Sequence, residues 1–165
     1  GEYIARQDAD DISMPDRLEK QLFYVKNLGL DFVFCRAVSV FNNKYTYSPS
    51  MININNFSYR KLAFGNMFVH GTFLVRAHIL INEKYNAYYK YAQDYELFLR
   101  LISAGKKFVI MTEPLYFLRI SSNSISSTKI NEQNYYAATA CRHQFGTSLF
   151  YMADKITIVR LVLNI

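Results

Sequence analysis

The sequence predicts a mixed α/β sandwich, and three observations predict it. With 165 residues, 51% of them hydrophobic, the chain can build one core of ordinary domain size. Short apolar runs with period-two alternation, such as "DFVFCRAVSVF", read as strands. Two other runs, "ISMPDRLEKQLFYVKNLG" and "AQDYELFLRLISAG", place apolar residues on one helical face and end at glycine.

In chain order, Tyr3, Ile4 and Ala5 begin a short strand that stops in the acidic loop "QDADD". A helix follows, with Ser13 able to cap it, Pro15 tolerated in its first turn, Asp16 suited to its positive end, and Leu18, Leu22 and Val25 as its apolar face before Gly29. "DFVFCRAVSVF" and "KYTYS" read as strands around a turn at Asn42 and Asn43. "SYRKLAFGNMF" reads as a short helix, "VHGTFLVRAHIL" as a strand, and Tyr85 to Tyr91 as a tyrosine-rich loop. The second clear helix carries Leu97, Phe98, Leu101 and Ile102 as its stripe. "KKFVIMTEPLYFLRI" is one bent strand or two, interrupted at Pro114, because proline cannot donate to a ladder. "SSNSISSTK" is a polar loop, and from Asn131 onward the pattern is mostly helical. The first strand has nothing upstream to pair with, so the chain is expected to be a piece of something larger.

Composition narrows the function classes. The 14 Tyr and 13 Phe, with no Trp, predict a core built largely of rings, many with a hydroxyl that needs a partner. Two cysteines, Cys35 and Cys141, far apart in sequence, fit free buried thiols in a reducing compartment. The first residues carry no signal pattern and no segment reaches the roughly 20 apolar residues of a membrane span, so a cytoplasmic location is expected. The formal net charge is +6, yet Lys and Arg are scattered with no basic stripe, so nucleic acid is not an expected partner.

Against that basic balance, Asp8, Asp10 and Asp11 crowd into four positions. Carboxylates two apart on an extended loop point to one side and repel one another unless a cation lies between them. Oxygen-only ligands suit Mg²⁺ or Mn²⁺, ions that share their coordination with waters and substrate phosphates. The same residues also fit an acidic turn in which Asp11 or Ser13 caps the next helix. Asp94 opens the second clear helix, where the helix dipole favours a charged carboxylate; it is either an available proton acceptor or an N-cap.

Taken together, "GEYIARQDADDISMPDRLEKQ" closely resembles the metal-binding segment of the family 2 glycosyltransferases, bacterial enzymes of the GT-A type. The resemblance runs on through "FVHGTFLVRAHIL", "AQDYELFLRLISAG" and "EPLYFLRISSNSIS", in the family's order, over about residues 1 to 126, with residues 127 to 165 left as a helical extension. It implies a partial GT-A fold, a mixed sheet flanked by helices, whose nucleotide-binding half lies upstream of Gly1. It implies Asp10, with Asp8, as ligands of Mn²⁺ or Mg²⁺, and Asp8 and Asp11 beside the nucleotide-diphosphate sugar. It further implies Asp94 as the base that deprotonates the acceptor hydroxyl, His70 and Gly71 bordering the acceptor, and Arg119 near the diphosphate. The reaction would be inverting, metal-dependent transfer to a saccharide or lipid-linked acceptor, as in bacterial surface polysaccharide synthesis.

Alternatives stand beside several of these roles. His70 also fits a core histidine, and Arg119 a residue that holds a sheet edge. Ser121 occupies a position where the family often carries a metal-binding histidine. With the nucleotide half absent, a non-catalytic interaction module that binds no donor is the competing expectation. The C-terminal "KITIVRLVLNI", with Lys155 and Arg160 among apolar residues, fits either a core-packed helix or peripheral contact with the inner face of the plasma membrane.

Overall fold

The computed structural model describes residues 1–41, 44–120 and 128–146. The expected turn at Asn42 and Asn43, Ser121 with most of its polar loop, and the C-terminal run with Lys155 and Arg160 lie outside the described residues.

A long central strand organises the rest. Strand β3 (Phe32–Phe41) alternates in the way a sheet buried on both faces requires: Phe32 and Phe34 join one apolar cluster, and Val33, Cys35 and Ala37 join a second. β1 (Tyr3–Ala5), β2 (Ile12–Ser13), β4 (Lys44–Ser48), β5 (Leu74–Arg76) and β6 (Phe108–Phe117) complete a six-stranded sheet in the order β1-β5-β3-β6-β2, with β4 also paired to β3. Among the described residues only β3 and β6 run parallel, so the sheet is mixed as expected. β1 finds its partner downstream: it pairs antiparallel with β5, Ile4 opposite Val75.

Pro114 sits inside one continuous strand. The β3–β6 register slips on both sides of the Arg36–Pro114 pair, and this irregularity accommodates a residue with no N–H to donate. The first face of the sheet is covered by α4 (Gln93–Ser103) and α5 (Ile130–Phe145) through an aromatic cluster in which Phe34 stacks on Phe68 at 4.2 Å and meets Phe98 edge-on at 4.8 Å. The other face receives α1 (Arg17–Asn27) through Val25.

Three further expectations change. In α1 the buried residues are Arg17, Gln21 and Val25, while Leu18 is 46% exposed; neither Ser13 nor Asp11 caps the helix, whose N-cap is Asp16. The "VHGTFLVRAHIL" run is not one strand: His70–Thr72 forms a 3-10 turn, β5 takes only three residues, and α3 (Ala77–Glu83) begins at once. "SYRKLAFGNMF" forms a 3-10 helix over Tyr59–Phe64, preceded by α2 (Met51–Asn55), whose N-cap Ser50 accepts from the Asn53 N–H at 3.2 Å.

Both cysteines are buried thiols outside any disulfide, as expected. Burial pushes the Cys35 thiol up to about 11.

Candidate active site

Beyond Ala5 the chain leaves the sheet, and its polar side chains close the acidic loop on itself. The Gln7 side-chain amide donates to the carbonyls of Asp8 (2.9 Å) and Asp11 (3.0 Å), while the Ser13 hydroxyl donates to Gln7 Oε1 (2.5 Å). The Asp8 N–H donates to the hydroxyl of buried Tyr116 at 3.1 Å, and β2 returns the chain to β6 with Ile12 opposite Phe117. The loop therefore sits over the end of β6, fixed from below by a tyrosine whose ionisation burial opposes.

The buried polar face of α1 explains the placement of the second segment. Arg17, 2% exposed, donates through Nη2 to the Arg6 carbonyl (2.9 Å) and through Nη1 to the Gly71 carbonyl, and its guanidinium lies 5.1 Å from the centre of the Tyr116 ring. Gln21 donates to the Thr72 carbonyl at 2.7 Å. One helix thereby ties the strand entering the acidic loop to the turn that carries His70. Gly71 is needed there because a Cβ would overlap the Tyr116 hydroxyl and ring.

His70 is partly buried, packs edge-on to Phe98, and shares a 2.8 Å hydrogen bond between Nε2 and the Tyr85 hydroxyl. Burial pushes its pKa below the ordinary value; the charges of Asp94 and Asp8 oppose this, and Arg6 reinforces it. Tyr85 feels the same three charged groups. The charges of Asp8 in the first loop and Asp94 on α4 thus both act on the His70–Tyr85 pair, although 86 positions of sequence separate them.

Asp94 does not cap α4. That position belongs to Ala92, in left-handed conformation at φ 62°, and Asp94 sits in the first turn, where its Oδ2 accepts from Asn66 Nδ2 at 3.1 Å. It opens on a cavity of about 270 Å³ bordered by Gly65, Asn66, Tyr95, Gln133 and Asn134. A second cleft of about 300 Å³ lies between Arg6, Gln7, Phe73, Leu80 and Tyr85.

The three acidic residues of the loop have different surroundings. Asp8 forms an ion pair with Arg6 (2.6 Å), and Asp11 accepts the Arg119 backbone N–H (2.8 Å). That bond brings Arg119 beside the acidic loop, where its side chain is exposed. Asp10 is exposed and makes no hydrogen bond or ion pair among the described residues. Among the described residues no group of three His, Cys, Asp or Glu side chains is placed to hold a metal ion. The donor set fits a hard divalent cation only as one free carboxylate, with the remaining ligands drawn from water and a substrate diphosphate.

The family model described as Glycosyl transferase family 2 matches residues 1–89. The chain belongs to glycosyl transferase family 2. This family 2 chain is 32% identical to an uncharacterized glycosyltransferase of Methanocaldococcus jannaschii over 140 residues, which cover 83% of the chain and 48% of that relative. It is 30% identical over 101 residues to the O-antigen biosynthesis glycosyltransferase WbnJ of Escherichia coli, covering 61% of the chain and 39% of WbnJ. To the amylovoran biosynthesis glycosyltransferase AmsE of Erwinia amylovora it is 26% identical over 127 residues, 76% of the chain and 48% of AmsE. The chain spans about half or less of the length of these relatives. Among solved structures, S. aureus TarS 1–349 in complex with UDP-GlcNAc superimposes with a TM-score of 0.62 at 12% identity, over 90% of this chain and 45% of that TarS chain. At that identity the likeness is one of fold, and the architecture is a partial GT-A fold.

Sequence reasoning missed Arg17, Tyr116 and Tyr85, which position the loop and the His70 turn. Arg17 and Gln21 are spaced i, i+4 on the face that also carries Val25, and that polar pair was the available signal.

Proposed function

We propose that the chain is the D-x-D and acceptor-side part of an inverting glycosyltransferase that takes its sugar from a nucleotide-diphosphate donor. The observation that supports this reading is that the charges of Asp8, in the acidic loop, and of Asp94, on α4, both act on the His70–Tyr85 pair. The binding of UDP and UDP-GlcNAc by TarS supports a uridine-diphosphate donor, and the O-antigen and amylovoran biosynthesis relatives support a role in surface polysaccharide synthesis.

In this reading Asp94 accepts the proton of the acceptor hydroxyl as that oxygen bonds to the anomeric carbon and the bond from that carbon to the diphosphate breaks. Asn66 orients the carboxylate through its 3.1 Å hydrogen bond. His70 and Gly71 border the acceptor, with the imidazole held neutral near pH 7 by burial. Asp10, with Asp8, would hold Mn²⁺ or Mg²⁺, which when bound would supply positive charge against the departing diphosphate. Asp11 fixes the Arg119 backbone, and Arg119 adds its charge near the diphosphate. The acceptor is a saccharide or a lipid-linked saccharide, handled at the cytoplasmic face of the membrane.

Calorimetric titration of the enzyme that carries this chain with Mn²⁺ and UDP tests the donor side. Metal-dependent heat that disappears in Asp10→Ala is the expected result. Equal heat in Asp10→Ala would remove Asp10 from the site, and no heat in the unmodified protein would leave a non-catalytic module. Sedimentation with anionic liposomes tests the membrane placement, with co-sedimentation that falls as salt rises expected.

A further inference from the structure

The cavity beside Asp94 stays open because small residues form part of its wall. Gly65, Ala92 and Ala137 carry no more than a methyl group into it, which leaves about 270 Å³. That is room for about one sugar ring, below the roughly 300–1,000 Å³ of pockets that enclose drug-sized ligands.

The polar side chains around this space divide into bonded and unbonded. Asn66 is used at both ends: its Nδ2 donates to Asp94 Oδ2 at 3.1 Å, and its Oδ1 accepts the Phe68 N–H at 3.0 Å. Gln133 and Asn134 line the cavity from α5, and among the described residues their side-chain amides make no hydrogen bond. Ala137 lies one turn beyond both, so the helix face turned to the cavity carries two half-buried amides above a methyl group. Asp94 Oδ1 likewise has no hydrogen-bond partner among the described residues.

This lining discriminates between ligands. An apolar chain would cover the two amides without bonding them. A phosphate or carboxylate would meet Asp94, the one charged side chain among the described residues that line the cavity. A divalent cation would find that single carboxylate, with no group of three metal-ligating side chains among the described residues. A neutral sugar ring matches, because each of its hydroxyls both donates and accepts, as two amides and a free carboxylate oxygen require.

We propose that Gln133 and Asn134 select the acceptor sugar: they hold a single neutral pyranose in the cavity by hydrogen bonds to its hydroxyls and present one hydroxyl to Asp94. The proposal rests on the reading of Asp94 as proton acceptor. It goes further in confining the reactive unit to an uncharged ring and in assigning its recognition to α5, outside the residues 1–89 that the family model matches.

Saturation-transfer NMR of the enzyme that carries this chain tests it, with methyl glucoside, galactoside, mannoside and N-acetylglucosaminide as neutral probes and methyl glucuronide as the charged one. At least one neutral glycoside is expected to bind, and the glucuronide about tenfold or more weaker. Gln133→Met with Asn134→Leu keeps the side-chain volume but removes both amides, and should weaken the bound glycoside by about tenfold or more with an unchanged circular dichroism spectrum. Asp94→Asn should keep that glycoside within about threefold while transfer is lost. Transfer retained in Asp94→Asn, with binding still dependent on the two amides, would overturn the assigned base and still support the sugar site. No binding of any neutral probe, binding indifferent to the loss of both amides, or glucuronide bound as tightly as the neutral probes would each overturn the proposal. The last comparison uses the unmodified protein, so it decides even where the double variant fails to fold.

Discussion

Removing the guanidinium of Arg17 is expected to loosen the whole site, because one buried side chain holds two of its segments. Arg17→Met keeps the length and apolar stem but deletes the donors to the Arg6 and Gly71 carbonyls and the contact with the Tyr116 ring. Hydrogen bonds from a charged donor contribute about 1.5–3 kcal/mol each, so the two together are worth roughly 3–6 kcal/mol. The variant no longer desolvates a cation, a relief of up to several kcal/mol, yet it strands two carbonyls beneath the loop; the expected net loss is about 2–4 kcal/mol. With a urea m-value of about 2 kcal/mol per molar, the midpoint should fall by about 1–2 M. Arg17→Lys should fall between, since an ammonium lacks the fork that reaches both carbonyls. The assay is urea unfolding followed by circular dichroism. A midpoint drop below about 0.3 M in Arg17→Met would refute the clamp.

Two further outcomes follow from the same geometry. Gly71→Ala places a methyl group against Tyr116, which is fully buried and cannot swing aside, so a destabilisation of about 1–3 kcal/mol by urea unfolding is expected. His70 has a folded-state pKa held below its unfolded value near 6.5, so between the two the unfolded chain binds a proton that the native state does not, and lowering the pH from 7 to 5 should lower the melting temperature; His70→Gln should flatten that slope.

How far the sequence could be read follows the physical range of each feature. The acidic loop and the α4 helix were legible because they depend on neighbours a few residues away. The inward face of α1 was not, because Leu18 looked like core while the buried residues are Arg17 and Gln21, whose partners Gly71 and Thr72 lie more than fifty positions along the chain. "RAHIL" reads as the end of a strand because a short apolar run carries no decisive period; tertiary contacts, with Ile79 buried in the aromatic cluster, make it helix. The partner of β1 was not legible because strand order is not written in local sequence, and β5 lies some seventy residues downstream. That Asp8, Asp94 and His70 belong to one site was implied only by the family resemblance, which did not point to Tyr85.

Sugar transfer by the enzyme carrying this chain, compared with its Asp94→Asn variant under saturating donor, tests the central claim most directly. The account predicts a fall in turnover of about 10²–10⁴-fold with unchanged affinity for UDP. Turnover within a few fold of the unmodified enzyme would contradict it.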